Sequence, residues 1–453
     1  MAGCVGVVAG VQAGWHSSEK RFPWRSGMLV GTELRRVAVV GGVRIPFARA
    51  HGAYARVGNQ EMLTAVLRGL VERFGLRGQR LGEVVAGAVM KHATQWNLVR
   101  ECVLGSGLAP ETPGVDLQMA CGTSLEAALL VANKIALGQI DAGIAGGVDT
   151  VSDAPIAYPR EYQQILLESF RGRSFGARVA PWLRLRPRHF KPALPGVVEP
   201  RTGLSMGQSC EEMARRWGIT REAQDELALA SHRAAAAAYD EGFYRDLVIR
   251  FEDLAEDNNL RRDTTPERLA ALKPSFAAGG TLTAGNSTPM TDGASGVLLA
   301  SEAWAMERGL PVLAFLTYGK VAAVDFVGGA EGLLMAPAYA VPRMLADAGL
   351  DLGDFDLYEI HEAFAAQVLC TLKAWESEEF CRERLGLDGP LGPIDRSRMN
   401  VKGGSLAMGH PFAATGTRIV ATLAKELAQR GSGRGLISIC TAGGMGVTAI
   451  LER

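Results

Sequence analysis

The sequence contains no Cys-x-x-Cys pair. Its seven cysteines, at positions 4, 102, 121, 210, 370, 381 and 440, are odd in number and widely spread. That excludes the spacing of a zinc ribbon or a dithiol redox motif, and it predicts reduced thiols in a cytosol-like compartment and no bound metal. No apolar run is long enough to span a bilayer. Charge of one sign is not in excess, since Lys+Arg and Asp+Glu both number 48. A global attraction to nucleic acid or to an acidic membrane is thereby excluded. No G-x-G-x-x-G follows a predicted strand, so the glycine pairs at 41–42 and 146–147 do not amount to a dinucleotide fingerprint.

What is present is a chain of 453 residues, 47% hydrophobic, with 55 glycines. That length predicts two or three packed domains. Residues 1–34 have an apolar start with no basic residue ahead of it, which speaks against a secretory signal. Lys20, Arg21 and Arg25 leave an organelle-targeting reading open. A disordered N-terminal extension, or a true start at Met28, is the expectation there.

Buried β-branched runs at 35–47 (a strand followed by a turn), 81–90 and 141–151 alternate with helical periodicity at 59–74 and 125–136. This alternation predicts an α/β fold with a mainly parallel sheet covered on both faces. Near 155 the pattern changes. "SCEEMARRWG" and "TREAQDELALASHRAA" read as helices, begun by Ser209 with Glu212 as a capping box and by Thr220. Strand character returns at 293–301, and a second series of strands and helices runs from 311 to the end. "GNSTPMTDGASGVLLASE" and "CTAGGMGVTAILER" close the two series alike, a weak internal repeat. The expected division is 1–34 as extension, 35–155 with 276–310 as the first half, 156–275 as an α-rich insertion, and 311–453 as the second half.

The chemistry-bearing residues lie at predicted strand ends, where ligands bind in open α/β sheets. In "QMACGTSLEAALL", Cys121 precedes a helix, whose positive end favours a thiolate. "LYEIHEAFAAQ" supplies His361, "NVKGGSLAMGHPFAATG" supplies His410, and "GLISICTAGGMG" supplies Cys440. Each alone is compatible with a structural role. Together, in this order, "QMACGTSLEA", "HEAFAAQ", "GGSLAMGHPFAATG" and "CTAGGMG" strongly resemble the thiolase family, over about 35–453. "MGQSCEEMARRWGITREAQDELALASHRAA" and "GGTLTAGNSTPMTDGAS" match further signatures of that family. Histidine in "HEAF", where many thiolases have asparagine, resembles the β chain of fatty-acid oxidation (trifunctional) complexes.

The resemblance implies two similar halves packed as a five-layer αβαβα core, with the insertion as a loop domain covering coenzyme A. It implies a 3-ketoacyl-CoA thiolase, with Cys121 as nucleophile, His410 accepting its proton and Cys440 as the second acid/base. One oxyanion hole would use His410 and a group held by His361; the other, the backbone N–H groups of Cys121 and Ala442. Alanine at 442 replaces the family's usual glycine and retains the donor. Ala284 and Thr288 are expected on the pantetheine arm, with CoA as co-substrate and no bound cofactor. An acetoacetyl-CoA thiolase run toward condensation uses the same residues and is the alternative. A non-catalytic lipid-binding relative would be expected to have lost one of these groups. A homodimer or tetramer, and a hydratase/dehydrogenase α chain as partner, are family expectations. Location is expected to be bacterial-type cytoplasm, or alternatively the mitochondrial matrix.

Residues 160–191 hold eight Lys+Arg against two acids, with Trp182, Leu183, Leu185 and Phe190 interleaved. Contact with CoA phosphates, docking on a membrane or partner chain, and a solvated loop are the three readings of this stretch.

Overall fold

The computed structural model describes residues 34–196, 198–328 and 331–453. Apart from Leu34, the expected N-terminal extension lies outside the described residues. Among these residues the strands are β1 (Val37–Arg44), β2 (Ala48–Arg49), β3 (Glu83–Ala86), β4 (Gly114–Asp116), β5 (Ala142–Asp149), β6 (Thr291–Ser301), β7 (Ala314–Ala323), β8 (Leu357–Ile360), β9 (Arg434–Thr441) and β10 (Met445–Glu452). The longer helices are α1 (Asn59–Arg73), α2 (Leu98–Ser106), α3 (Thr123–Ala136), α4 (Arg160–Arg171), α5 (Met206–Arg216), α6 (Arg221–Asp240), α7 (Pro337–Ala348), α8 (Ala365–Glu376) and α9 (Thr415–Arg430).

The strands lie in the order β4-β3-β5-β6-β1-β7-β10-β9-β8, with β2 beside β6. The sheet is mixed, which corrects the expectation of a mainly parallel one. Only β3–β4, β3–β5 and β8–β9 pair in parallel. β6 and β10 are antiparallel to both neighbours. The physical reason is connection: β9 returns directly into β10 through a tight turn, and a short connection of that kind joins antiparallel strands.

The internal repeat is visible in the topology. β3-β5-β6-β1 in the first half corresponds to β8-β9-β10-β7 in the second, with α3 ahead of β5 and α9 ahead of β9. The halves meet edge to edge through Ala38 opposite Phe315 and Val39 opposite Ala314.

Five layers result. Leu63, Val66 and Leu67 of α1 and Val99 of α2 pack on Val84, Ile144 and Leu298 at one outer face. Leu125 and Ala128 of α3, with Ile419 and Val420 of α9, fill the middle between Val39 and Val297 on one side and Ile437 and Val447 on the other. Val341 and Leu345 of α7, and Val368 and Leu372 of α8, cover Leu436 and Ile450 at the opposite face. Truncating one middle-layer side chain such as Leu125 to alanine costs about 2–5 kcal/mol.

Between β5 and β6 the chain forms α4, α5 and α6. Thr220 caps α6 by accepting from the Ala223 N–H. The cap of α5 is Ser205 with Gln208, not Ser209 with Glu212 as expected. Both segments read S-x-x-[EQ], and Ser209 is taken into the helix one turn on, where it is buried. A buried ion pair ties this segment to the first half: Arg44 Nη1 and Nη2 lie 2.6 and 2.8 Å from the two Asp257 oxygens. Asp257 also accepts from the Phe47 N–H and the Tyr239 hydroxyl.

Candidate active site

Cys121 sits in a single tight turn, Ala120–Gly122, that runs directly into α3. Ala120 has a positive φ of 44°, and Thr123 locks the turn by accepting from the Met119 N–H at 2.8 Å and donating to Ala120 O at 2.7 Å. The helix start had suggested a lowered thiol pKa. The structure reverses this: burial pushes the Cys121 thiol up to about 12, and Asp149 adds to the rise. The backbone N–H groups of Ala442 and Cys121 point at the sulfur and pull in the other direction, but less strongly. Desolvation of a thiolate outweighs the helix dipole here.

His410 leaves a glycine turn just ahead of α9. Its N–H donates to Thr291 Oγ1 at 3.2 Å, and its Nδ1 lies 2.5 Å from Thr415 Oγ1. The loop after it presses against β5, where a Cβ on Gly147 would sit 2.0 Å from the Ala413 carbonyl oxygen. Asp149, at the end of β5, holds the same loop by accepting from the Ala413 N–H at 2.8 Å. Burial raises the Asp149 carboxyl to about 7, against the N–H groups of Met90, Ala413 and Val89. The first turns of α3 and α9 are joined as well, the Thr417 N–H donating to Ser124 Oγ at 3.0 Å. Cys121 and His410 therefore stand before the same helix of the two repeated halves.

His361 follows β8 directly. Its N–H donates to Ser438 O, and its Nδ1 lies 2.9 Å from Ser405 Oγ. Its ring is 4.2 Å from that of His410, centroid to centroid. The Nε2 atoms of both histidines are buried and have no hydrogen-bond partner. A ligand atom from each of Cys121, His361 and His410 lies within 4.8 Å of the others. That is a set of metal-ligand composition, yet the buried Arg418 guanidinium opposes positive charge at both imidazoles. Burial first, then Arg418, lowers His410 to about 3; burial, His410 and Arg418 together hold His361 well below the ordinary value.

Cys440 is buried at the end of β9, and burial and the neighbouring Cys121 thiol push its own thiol well above the ordinary range. The turn that follows uses two left-handed glycines, Gly443 and Gly444 at φ 78° and 70°. Glu199, from the segment between β5 and β6, pins it by accepting from the Gly443 N–H at 2.8 Å.

A cavity of about 200 Å³ is lined by Arg49, Arg261, Arg268, Ala284, Ser287 and Leu406, among others, and by none of Cys121, His361, His410 and Cys440. Ala284 lines this cavity. Thr288 is not on that wall, and both its N–H and its hydroxyl donate to Ala363 O. No residue of 160–191 lines this cavity.

The residue models for "Thiolase, N-terminal domain" and "Thiolase, C-terminal domain" match 37–303 and 311–453. The chain belongs to the thiolase family. It is 42% identical over 424 residues to a 3-ketoacyl-CoA thiolase of Pectobacterium carotovorum subsp. carotovorum (strain PC1), covering 92% of this chain and 96% of that one. It is 41% identical over 431 residues to a 3-ketoacyl-CoA thiolase of Yersinia pestis (strain Pestoides F), covering 94% and 98%. Among solved structures it resembles the acetyl-CoA acetyltransferase of Bacillus anthracis with a TM-score of 0.78 at 30% identity, over 93% of this chain and all of that one. In this thiolase-family chain, sequence reasoning missed Ser405, Thr415, Arg418, Asp149 and Glu199. Ser405 and Thr415 were hidden among small loop residues, and Arg418 in an ordinary helical stretch; a buried arginine is detectable only once its surroundings are known.

Proposed function

We propose that this protein cleaves 3-ketoacyl-CoA with CoA to acetyl-CoA and a shortened acyl-CoA. The observation that carries the reading is the convergence of Cys121, His361 and His410 within 4.8 Å. Cys121 Sγ attacks the 3-keto carbon while His410 Nε2 takes its proton. The C2–C3 bond then breaks, its electron pair passes to the acetyl-CoA enolate, and Cys440 gives that carbanion a proton. A CoA thiol, giving its proton to the Cys440 thiolate, then displaces the acyl group from Cys121, whose sulfur takes its proton back from His410. The N–H groups of Cys121 and Ala442 face one developing oxyanion and the two imidazoles the other. Losing one such donor typically costs about 3–4 kcal/mol.

The CoA phosphates suit the wall formed by Arg49, Arg261 and Arg268, with Ala284 beside the pantetheine arm. In this reading 156–275 is a loop domain over the CoA site. Condensation of acetyl-CoA uses the same groups in reverse, and the likeness to an acetyl-CoA acetyltransferase supports that second direction. Thiolysis rates from acetoacetyl-CoA to 3-ketopalmitoyl-CoA, measured beside the condensation rate, test the assignment. Turnover of the four-carbon substrate alone would give the condensation reading precedence.

Residues 160–191 are proposed as a peripheral membrane contact. The stretch has a small core of its own, with Tyr162 against Trp182 and Phe190, and still exposes Phe170, Phe175 and Leu183 by more than four-fifths. Exposed Arg160, Arg171 and Arg173 lie among them, a combination suited to an anionic lipid surface. No helix among the described residues is long and apolar enough to cross a membrane. A homo-oligomer, a hydratase/dehydrogenase α chain as partner and a cytoplasmic site of action complete the proposal.

A further inference from the structure

We infer that Arg418, acting through Ser405, fixes the proton of His361 on Nε2 and so makes this imidazole a donor, while His410 is left able to act as a base. The inference deepens the proposed function and rests on it for its catalytic consequence, though not for the tautomer itself.

Arg418 is buried in α9, and its Nη2 donates to Ser405 Oγ at 2.9 Å. A guanidinium has donors only, so in this contact the serine oxygen accepts. The His361 Nδ1 is also 2.9 Å from Ser405 Oγ. The hydroxyl has one hydrogen to give, and Nδ1 is the acceptor in reach. Ser405 therefore donates to Nδ1, and the neutral ring carries its own hydrogen on Nε2. The opposite tautomer would make Oγ accept twice and leave a buried hydroxyl hydrogen unpaired, which is disfavoured. A doubly protonated ring is opposed by the nearby Arg418 charge. Arg418 itself is held by Glu359, with Nη1 3.6 Å from Oε2 and both side chains almost wholly enclosed.

The Nε2–H so formed is buried, unpartnered and faces the group containing Cys121 and His410. It has no lone pair to offer a metal or a proton, only a hydrogen for an oxyanion. His410 has a different support. Its Nδ1 meets Thr415 Oγ1, and among the described residues no cationic side chain donates to that hydroxyl to force its direction. His410 can give Nδ1–H to the threonine and keep Nε2 free to receive the Cys121 proton. Two adjacent imidazoles thus acquire opposite roles from what stands behind them. Arg418 and Ser405 are positioning residues in this arrangement.

Neutron diffraction from perdeuterated crystals of the full chain tests the tautomer directly. The expected result is deuterium on His361 Nε2 and on Ser405 Oγ directed at Nδ1; deuterium on Nδ1 instead overturns the inference. Ser405→Ala removes the relay without adding bulk. Its kcat for thiolysis is expected to fall about 10- to 100-fold, the range found when the partner that orients a metal-bound histidine is lost, with KM little moved. Ser405→Thr, which keeps the hydroxyl, is expected to recover most of that loss. Nε2 deuterium with an unchanged kcat in Ser405→Ala would uphold the tautomer but remove His361 from the catalytic reading.

Discussion

The rings of His361 and His410 lie 4.2 Å apart and are tilted by 49°. At that distance a proton on one opposes a proton on the other, and both are enclosed with Arg418 beside them. The resting site therefore holds two neutral imidazoles next to a neutral Cys121 thiol. In the proposed mechanism, proton transfer from sulfur to His410 would then accompany attack on substrate and not precede it.

The pH dependence follows with its sign. His410 is lowered to about 3 and Cys121 raised to about 12. Neither titrates near neutrality, so their contribution to acylation is flat there. Alkylation of Cys121 by iodoacetamide in the free protein is expected to keep rising beyond about 8.5, the ordinary thiol value. A plateau at neutral pH would mean a preformed thiolate and contradict this electrostatic picture.

Replacing the nucleophile removes the covalent step. Cys121→Ala is expected to lose thiolysis and to show no acyl adduct by intact mass after mixing with acyl-CoA. Ordinary turnover in that variant ends the proposed mechanism.

Cys440 has a narrower task. Cys440→Ser should still take up an acyl group, while exchange of the α-protons of acetyl-CoA with deuterated water slows by orders of magnitude. Equal loss of both steps, read by mass spectrometry and NMR, contradicts its assignment as the carbanion's acid/base.

Gly147 has no room for a methyl group, because the Ala413 carbonyl lies 2.0 Å from where a Cβ would be. Gly147→Ala is expected to displace the loop bearing His410 and to cost about 1–3 kcal/mol in denaturant unfolding. Activity should fall further than stability alone explains. An unchanged midpoint and rate would show that the contact is slack.

The membrane proposal has its own test. Phe170→Ser with Phe175→Ser, or glutamine at Arg160, Arg171 and Arg173, should weaken sedimentation with phosphatidylglycerol vesicles and spare turnover of soluble short-chain substrate. Vesicle binding that ignores these changes would leave 160–191 a solvated surface; binding transferred to a protein chain would mark it as a partner site.

Much of this arrangement is legible in the residues because tight turns demand particular ones. Cys121 before Gly122 and Thr123, and His410 after Gly409, mark turns that lead into α3 and α9; His410, however, follows a short helix, Ser405–Met408, and not a strand end as the pattern suggests. Strand direction was less legible. Alternating strand and helix patterns suggest parallel pairing, and nothing local in "GASGVLLAS" says that β6 runs against both neighbours. The cap at Ser205 is hard to tell from one at Ser209 because the same spacing recurs one turn later. The Cys121 thiol is harder to read: a dipole is visible in a helix start, whereas the burial that pushes the thiol up, and the added charge of Asp149, exist only once the chain has folded around it.

The seam at Ala38–Phe315 and Val39–Ala314 has a consequence for the rate. Cys121 belongs to one side of it, and His361, His410 and Cys440 to the other. Neither fragment, separated at the linker near residue 310, contains a working set of groups. In the proposed mechanism turnover therefore gauges how well the two lobes are seated against each other. A remote substitution that shifts one lobe is expected to slow the reaction while every reacting side chain is still present in the sequence.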